Sequence, residues 1–185
     1  MAHDALFGLW FFAPAGVANL TPVLIYKLPV LRDWKTPLDF GHQIRGHRLS
    51  GDNKTWRGVI GGMTIGTLAL WLQVTLFKHS AWIVSVSRPL DYSSLPILRL
   101  GLLMSFGALA GDALKSFFKR QLSVASGHSW FPFDQLDYII GGLLLSTIEI
   151  RLSVTDYVWV VVDYFVLHLV FSYLGFHLKL KEQPI

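Results

Sequence analysis

The sequence predicts an all-α, polytopic integral membrane protein with about five transmembrane helices. Hydrophobic residues make up 52% of its 185 residues and charged residues only 15%, a composition that is unusual for a soluble domain. The apolar residues occur in long runs with few charges, each of roughly the length that crosses a bilayer. Glycine and alanine are concentrated within several of these runs, as expected where membrane helices pack closely.

Five spans are predicted along the chain. The first is interrupted by Pro14 and Pro22, whereas the second and third are rich in glycine and alanine. The predicted ranges are 6–26, 59–77, 97–118, 134–150 and 157–178. Because no internal repeat, low-complexity tract or soluble domain separates them, residues 1–185 are expected to form one membrane-embedded domain.

Basic residues are distributed unevenly between the two sides of this topology. Of the 16 lysines and arginines, twelve fall in the loop 27–57, the segment 115–137 and the C-terminal tail, and four fall on the opposite side. The positive-inside rule then places the N-terminus outside and the C-terminus in the cytoplasm. We therefore expect a multi-pass protein of the cell (inner or plasma) membrane with its polar segments facing the cytoplasm. Since membrane topology explains the net charge of +4, no nucleic-acid partner is expected.

Ionisable residues cluster between the third and fourth predicted spans. If residues 112–120 are helical, Asp112, Lys115 and Lys119 share one face, with Ser116 beside them. Charged groups inside or beside a bilayer are costly and usually functional. The alternative is a helix end whose lysines bind lipid headgroups. That alternative does not explain the carboxylates, because anionic headgroups repel them.

A pair of carboxylates opens the fourth predicted span, in the sequence Pro132-Phe133-Asp134-Gln135-Leu136-Asp137. In one interpretation Asp134 is the N-cap of the helix and Asp137 favours its positive end. In the other, the two carboxylates share a helix face at i and i+3 spacing and bind one divalent cation. Capping does not exclude metal binding, so both interpretations stay open.

A second polar block, at residues 51–58, precedes the second span and reads Gly-Asp-Asn-Lys-Thr-Trp-Arg-Gly. Lys54 and Arg57 can bind phosphate, and glycine lets the backbone approach a ligand closely. The block is not a P-loop, because the glycine spacing and the following Lys-Ser/Thr are missing. The alternative is a headgroup-binding loop that enters a helix with Thr55 near its cap.

Asp163 is a further ionisable residue and lies within the fifth predicted span. A structural role is expected for it, because carboxylates inside membranes commonly pair with groups on other helices. Arg99, near the same membrane face, is the expected partner.

Together these segments resemble the CDP-archaeol synthase family of integral-membrane cytidylyltransferases. The resemblance rests on Gly-Asp-x-x-Lys-Ser-x-x-Lys-Arg at 111–120 and Pro-x-Asp-Gln-x-Asp at 132–137. The blocks at 19–22, 37–41 and 51–58 are also similar to the family's conserved blocks, although the first reads Asn-Leu-Thr-Pro where the family tends to carry Asn-Gly-Ala-Pro. The more distant CDP-diacylglycerol synthases carry a His-Gly-Gly triplet and an Asp-Arg-x-Asp run, which this chain lacks.

The resemblance implies a Mg²⁺-dependent reaction of phospholipid biosynthesis in which CTP and a lipid phosphate give a CDP-lipid and pyrophosphate. An archaeol-type ether lipid phosphate and phosphatidic acid are both open as the lipid substrate. The resemblance implies that Asp112, Asp134 and Asp137 bind the metal and act in catalysis, together with Lys115 and Lys119. The implied binding residues for CTP and the lipid phosphate are Asn19, Asp52, Lys54, Arg57, Ser116 and Arg120.

A non-enzymatic function, as a lipid-binding scaffold or a small transporter, is the alternative. A transporter is expected to carry polar residues through the span centres and to show weak internal symmetry. This sequence instead gathers its charges at one face and shows no symmetry. Cytidylyl transfer is therefore the preferred interpretation, with CTP, a lipid phosphate and membrane lipids as partners and a homodimer left open.

Overall fold

Helices account for most of the chain. The computed structural model describes residues 1–178 except 27, 29–30, 32, 45, 51–52 and 125–127. In chain order the elements are α1 (Ala2–Ile25), β1 (Gln43–Ile44), β2 (His47–Arg48), α2 (Trp56–His79), α3 (Ala81–Ser87), a 3₁₀ turn (Tyr92–Ser94), α4 (Ile97–Gln121), α5 (Phe133–Ser146) and α6 (Val154–His177). The two short strands pair antiparallel in the loop between α1 and α2. The predicted helical membrane class is confirmed.

Among the described residues, four helices are long and apolar enough to cross a bilayer: α1, α2, α4 and α6. Each has 24 or 25 residues, which at about 1.5 Å per residue covers a hydrocarbon core of roughly 30 Å. Helix α5 has only 14 residues, a length of about 21 Å. It ends at Ser146 rather than at residue 150, and a turn continues the chain. A fifth full span therefore stays a prediction.

The N-terminal helix α1 forms the centre of the bundle. It contacts α2, α4, α5 and α6, and the side chains of Phe7, Phe12, Ala15 and Ala18 are fully buried. It stays helical through its two internal prolines. Small residues on neighbouring helices let them pack closely around it. The carbonyl of Pro14, for example, would lie 2.9 Å from a Cβ placed at Gly66 of α2.

Helices α4 and α5 meet backbone to backbone. A Cβ at Gly107 would overlap the carbonyl of Gly141, and a Cβ at Gly111 would overlap the carbonyl of Asp137. Only glycine allows helix axes to approach this closely. The contact places Asp137 of α5 beside Asp112, which follows Gly111 on α4.

One predicted ion pair within the membrane region is wrong. Arg99 pairs with Glu149, their Nη2 and Oε1 atoms lying 2.7 Å apart, and not with Asp163. Glu149 lies in the turn after α5, and this ion pair places that turn beside the first residues of α4. Asp163 instead faces Gly8 of α1, and its Oδ2 is buried without a hydrogen-bond partner among the described residues.

The fold and the charge distribution together predict which loops share a side of the membrane. The chain contains no cysteine, and Gln43, Ser94 and His128 are exposed, so single cysteines at these positions report accessibility. A membrane-impermeant maleimide should label Gln43→Cys and His128→Cys only from the cytoplasmic side, and Ser94→Cys only from outside. Labelling of Gln43→Cys and His128→Cys from opposite sides would contradict this topology.

Candidate functional site

A cluster of charged side chains joins α4 and α5 where the two helices approach. Lys115 Nζ lies 3.2 Å from Asp112 Oδ1, 2.8 Å from Asp134 Oδ1 and 2.9 Å from Asp137 Oδ2. A single ammonium group thus contacts all three carboxylates that the family resemblance implies as metal ligands. We refer to Asp112, Lys115, Asp134 and Asp137 as the carboxylate cluster. The predicted shared face of α4 accounts for the position of Lys115 above Asp112.

Two further lysines contact the edges of the cluster. Lys54, just before α2, forms an ion pair with Asp112 Oδ2, which connects the α1–α2 loop to α4. Lys119 Nζ lies 3.1 Å from Asp134 Oδ2 and donates to the carbonyl of His128 at 2.5 Å. Because Lys119 is 7% exposed, its charge is compensated mainly by these two partners rather than by solvent.

The charges in and around the cluster balance in this structure. Three carboxylates are paired with three ammonium groups, those of Lys54, Lys115 and Lys119. A buried charge without a partner is strongly destabilising. The ion pairs therefore stabilise charged groups that are partly or largely buried and poorly solvated.

Asp134 anchors the segment that precedes α5. The N-cap of α5 is Pro132, which makes no side-chain capping bond. Asp134 Oδ2 instead accepts the backbone N–H of Trp130 at 2.6 Å. The interpretation of Asp134 as the N-cap is wrong, because the helix already begins at Phe133, one residue before it.

A cavity of about 430 Å³ lies next to the carboxylate cluster, a volume typical of small-molecule sites. Its lining includes the apolar residues Pro22, Val23 and Leu109. It also includes polar and charged side chains, namely Asn19, Lys35, Asn53, Lys54, Arg57 and Asp112. Asp112 belongs to the cluster, and Lys54 pairs with it. Because both residues also line the cavity, the cavity and the cluster are continuous.

Arg57 holds the two ends of the α1–α2 loop together. Its Nη1 donates to the carbonyl of Leu31 at 2.6 Å, and its guanidinium lies 5.1 Å from the centre of the Tyr26 ring. A cation over an aromatic face is stabilised by the ring's negative face. Arg57 therefore stabilises the α1–α2 loop and also lines the cavity.

Asp39 organises the α1–α2 loop, a role that the sequence does not indicate. It accepts hydrogen bonds from Arg48 Nη2 at 2.7 Å and from the backbone N–H groups of Gly41 and Ser50, each at 3.0 Å. Burial by itself would raise the pKa of Asp39, but these hydrogen bonds, that of Arg48 foremost, outweigh it and hold the pKa well below its usual range. The preceding Leu38 donates its N–H to the carbonyl of Lys54 at 2.8 Å. This hydrogen bond connects the backbone beside Asp39 to the backbone of Lys54.

The remaining predicted binding residues differ in their surroundings. Asn19 lines the cavity. Ser116 donates its hydroxyl to the carbonyl of Asp112 at 2.9 Å, so that its hydroxyl is used within α4. The Nε of Arg120 is buried without a hydrogen-bond partner in the described part of the chain. Asp52 lies outside the described residues.

The carboxylate cluster suits a divalent cation in its donor chemistry. Carboxylate oxygens are the hard ligands that Mg²⁺ prefers, and the three carboxylates already converge on one cation. Within the described ranges, however, no group of three His, Cys, Asp and Glu residues stands ready to hold a metal, and Lys115 Nζ contacts all three carboxylates. The donor set therefore fits a metal only if Lys115 moves away.

Comparisons of the sequence and of the structure with known proteins match enzymes of the same kind. A model of the CarS-like CDP-archaeol synthase family matches residues 2–185. The CDP-archaeol synthase of Pyrococcus abyssi is 32% identical over 177 residues, which cover 95% of this chain and 95% of that protein. The CDP-archaeol synthase of Pyrobaculum islandicum is 30% identical over 182 residues, covering 98% and 99%. A solved intramembrane enzyme for archaeal membrane lipid biosynthesis superposes with a TM-score of 0.68 at 27% identity, covering 88% of this chain and 90% of that one.

The α4–α5 contact gives a prediction for stability. In Gly111→Ala the new methyl group overlaps backbone, which cannot yield easily, so we expect a net destabilisation of about 1–3 kcal/mol. Gly61→Ala is the matched control, because its methyl group meets mainly the flexible tip of Ile25. Both variants gain similar helix propensity. Thermal unfolding in detergent should show a lower midpoint for Gly111→Ala than for Gly61→Ala; equal midpoints would contradict the contact.

Proposed function

Because the chain belongs to the CDP-archaeol synthase family, we propose that it transfers a cytidylyl group from CTP to an archaeol-type ether lipid phosphate. The observation that supports this most strongly is the carboxylate cluster, which joins a cavity whose walls include both apolar and basic side chains. A lipid phosphate needs both kinds of side chain, because its head is anionic and its tails are apolar. The site faces the cytoplasm of the cell membrane, where CTP is available, and the whole chain acts as one domain.

The reaction joins two anions. An oxygen of the lipid phosphate attacks the α-phosphorus of CTP; the new P–O bond forms as the bond to the β-phosphate bridging oxygen breaks, and pyrophosphate leaves with that electron pair. Repulsion between the reactants is the main obstacle, so catalysis consists chiefly of charge neutralisation and positioning. No protein nucleophile is required.

Basic residues of three segments supply the neutralisation. Lys54, at the end of the α1–α2 loop, and Arg57, in the first turn of α2, line the cavity, where they bind phosphate oxygens. Lys115 and Lys119 approach from α4, and Arg120 extends the same basic end of the helix. Asn19 contributes a polar contact, and Asp52 belongs to the same loop block as Lys54. The N–H of Leu38, beside Asp39, holds the backbone of Lys54 in place.

A magnesium ion would be held by Asp112, Asp134 and Asp137. When bound, it supplies charge neutralisation to the triphosphate. The protein prepares these carboxylates: the α4–α5 contact positions Asp137, the Trp130 N–H orients Asp134, and Lys54 contacts Asp112.

Purified protein in detergent should test the proposal directly. With an archaeol-type ether lipid phosphate and Mg²⁺, we expect turnover of CTP, or of dCTP as a close analogue, far above that of ATP or GTP. Phosphatidic acid is assayed in parallel as the competing lipid substrate. Equal turnover of all four nucleotides, or none with either lipid, would contradict the assignment.

In the same assay, Asp134→Asn and Asp137→Asn should each lose about a thousandfold in turnover, corresponding to roughly 4 kcal/mol of transition-state stabilisation. Asp112→Asn should behave likewise. The control is Asp33→Asn, an exposed residue of the α1–α2 loop, which should retain activity. Melting in detergent establishes that each variant is folded. A folded variant at position 134 or 137 with near-normal turnover would remove that carboxylate from the site.

A further inference from the structure

The carboxylate cluster is filled by a cation that belongs to the protein. Lys115 Nζ lies within 3.2 Å of an oxygen of each of three carboxylates, which come from two different helices. An ammonium group has three N–H donors, so each carboxylate can accept one of them. Lys115 is only 15% exposed, and solvent therefore competes weakly for its charge.

From this arrangement we propose that Lys115 is an internal counter-ion which a divalent metal must displace, and that the metal consequently binds well only together with a triphosphate. The inference rests on the proposed function, because it concerns the same site. The inference adds a specific role for Lys115, which is to keep the cluster assembled and neutral before the substrates bind.

Space and charge both exclude the simultaneous presence of ammonium and metal at the centre. A metal that used all three carboxylates would occupy the position that Nζ now holds. Like charges at that separation repel strongly where water is scarce. Either the ammonium or the metal can therefore be central, but not both.

The charge balance explains why a triphosphate should be required. Three ammonium groups already neutralise the three carboxylates, so a metal binding alone would leave surplus positive charge in a poorly solvated site. A triphosphate brings compensating negative charge, and its oxygens can accept hydrogen bonds from the released ammonium. Metal and triphosphate binding are thus coupled, and the coupling is reciprocal.

Lys54 provides a matched comparison. It also carries one positive charge and pairs with the cluster, but it contacts only Asp112. Removing Lys54 tests the general effect of losing a charge, whereas removing Lys115 tests the loss of the central cation. Methionine is a suitable replacement for both, because it keeps much of the side-chain volume without the charge.

The test measures the affinity for Mn²⁺ in the absence of nucleotide. Binding is monitored through the electron paramagnetic resonance signal of free Mn²⁺. We expect Lys115→Met to bind Mn²⁺ at least about tenfold more tightly than the unmodified protein. Lys54→Met should change the affinity less than about threefold, since it leaves the centre occupied. In the double variant Lys115→Met, Asp137→Asn the gain should disappear, because one of the three carboxylates is lost.

Melting without and with Mn²⁺ provides a second readout. Lys115→Met should be less stable than the unmodified protein without metal, and Mn²⁺ should restore its midpoint. The inference is overturned if Lys115→Met binds Mn²⁺ no better than the unmodified protein. It is equally overturned if Lys54→Met gains as much, or if Mn²⁺ fails to stabilise a destabilised Lys115→Met. Failure of the unmodified protein to form CDP-lipid would reject the proposed function alone, because the Mn²⁺ measurements use neither CTP nor lipid phosphate.

Discussion

The direct backbone contact between α4 and α5 is the constraint on which the site depends. Membrane helices gain little from the hydrophobic effect against one another, so close packing and polar contacts decide how they associate. Glycine at 107 and 111 brings α4 against the carbonyls of Gly141 and Asp137 on α5. The same approach places the Asp137 carboxylate within reach of Lys115. Helix packing and the chemistry of the cluster are therefore one arrangement, and a methyl group that separates the helices also separates the carboxylates.

Ion pairs extend this arrangement to parts of the chain that are distant in sequence. Lys54 connects the α1–α2 loop to Asp112 on α4, and the N–H of Leu38 in the same loop bonds to the carbonyl of Lys54. On the other side, Lys119 links α4 to Asp134 at the start of α5. Charges that would be expensive separately at the edge of a bilayer are stabilised by one another. The paired state also suits the ligands proposed for the site, because the groups that neutralise each other can exchange partners for a metal and phosphate oxygens.

Helical periodicity and hydropathy predict much of this structure, but they do not predict the contacts between its elements. The shared face of Asp112, Lys115 and Lys119 follows from the repeat of an α-helix. The convergence of Asp134 and Asp137 on the Lys115 ammonium depends on where α5 packs against α4. Residue spacing within one segment does not predict that packing. The predicted fourth span extends to residue 150, because Ile148 and Ile150 continue the apolar pattern past the end of α5 at Ser146. The organising role of Asp39 could not be predicted either, since its partners are set by the path of the loop.

The position of the metal in a nucleotide complex tests most directly whether the carboxylate cluster is the reaction centre. Crystals grown with Mn²⁺ and a non-hydrolysable CTP analogue should show an anomalous-difference peak at each bound manganese. If the cluster holds the metal, a peak lies among Asp112, Asp134 and Asp137, and Lys115 Nζ has left its central position. Manganese found only elsewhere in the protein, with Lys115 still bridging the three carboxylates, would contradict the assignment.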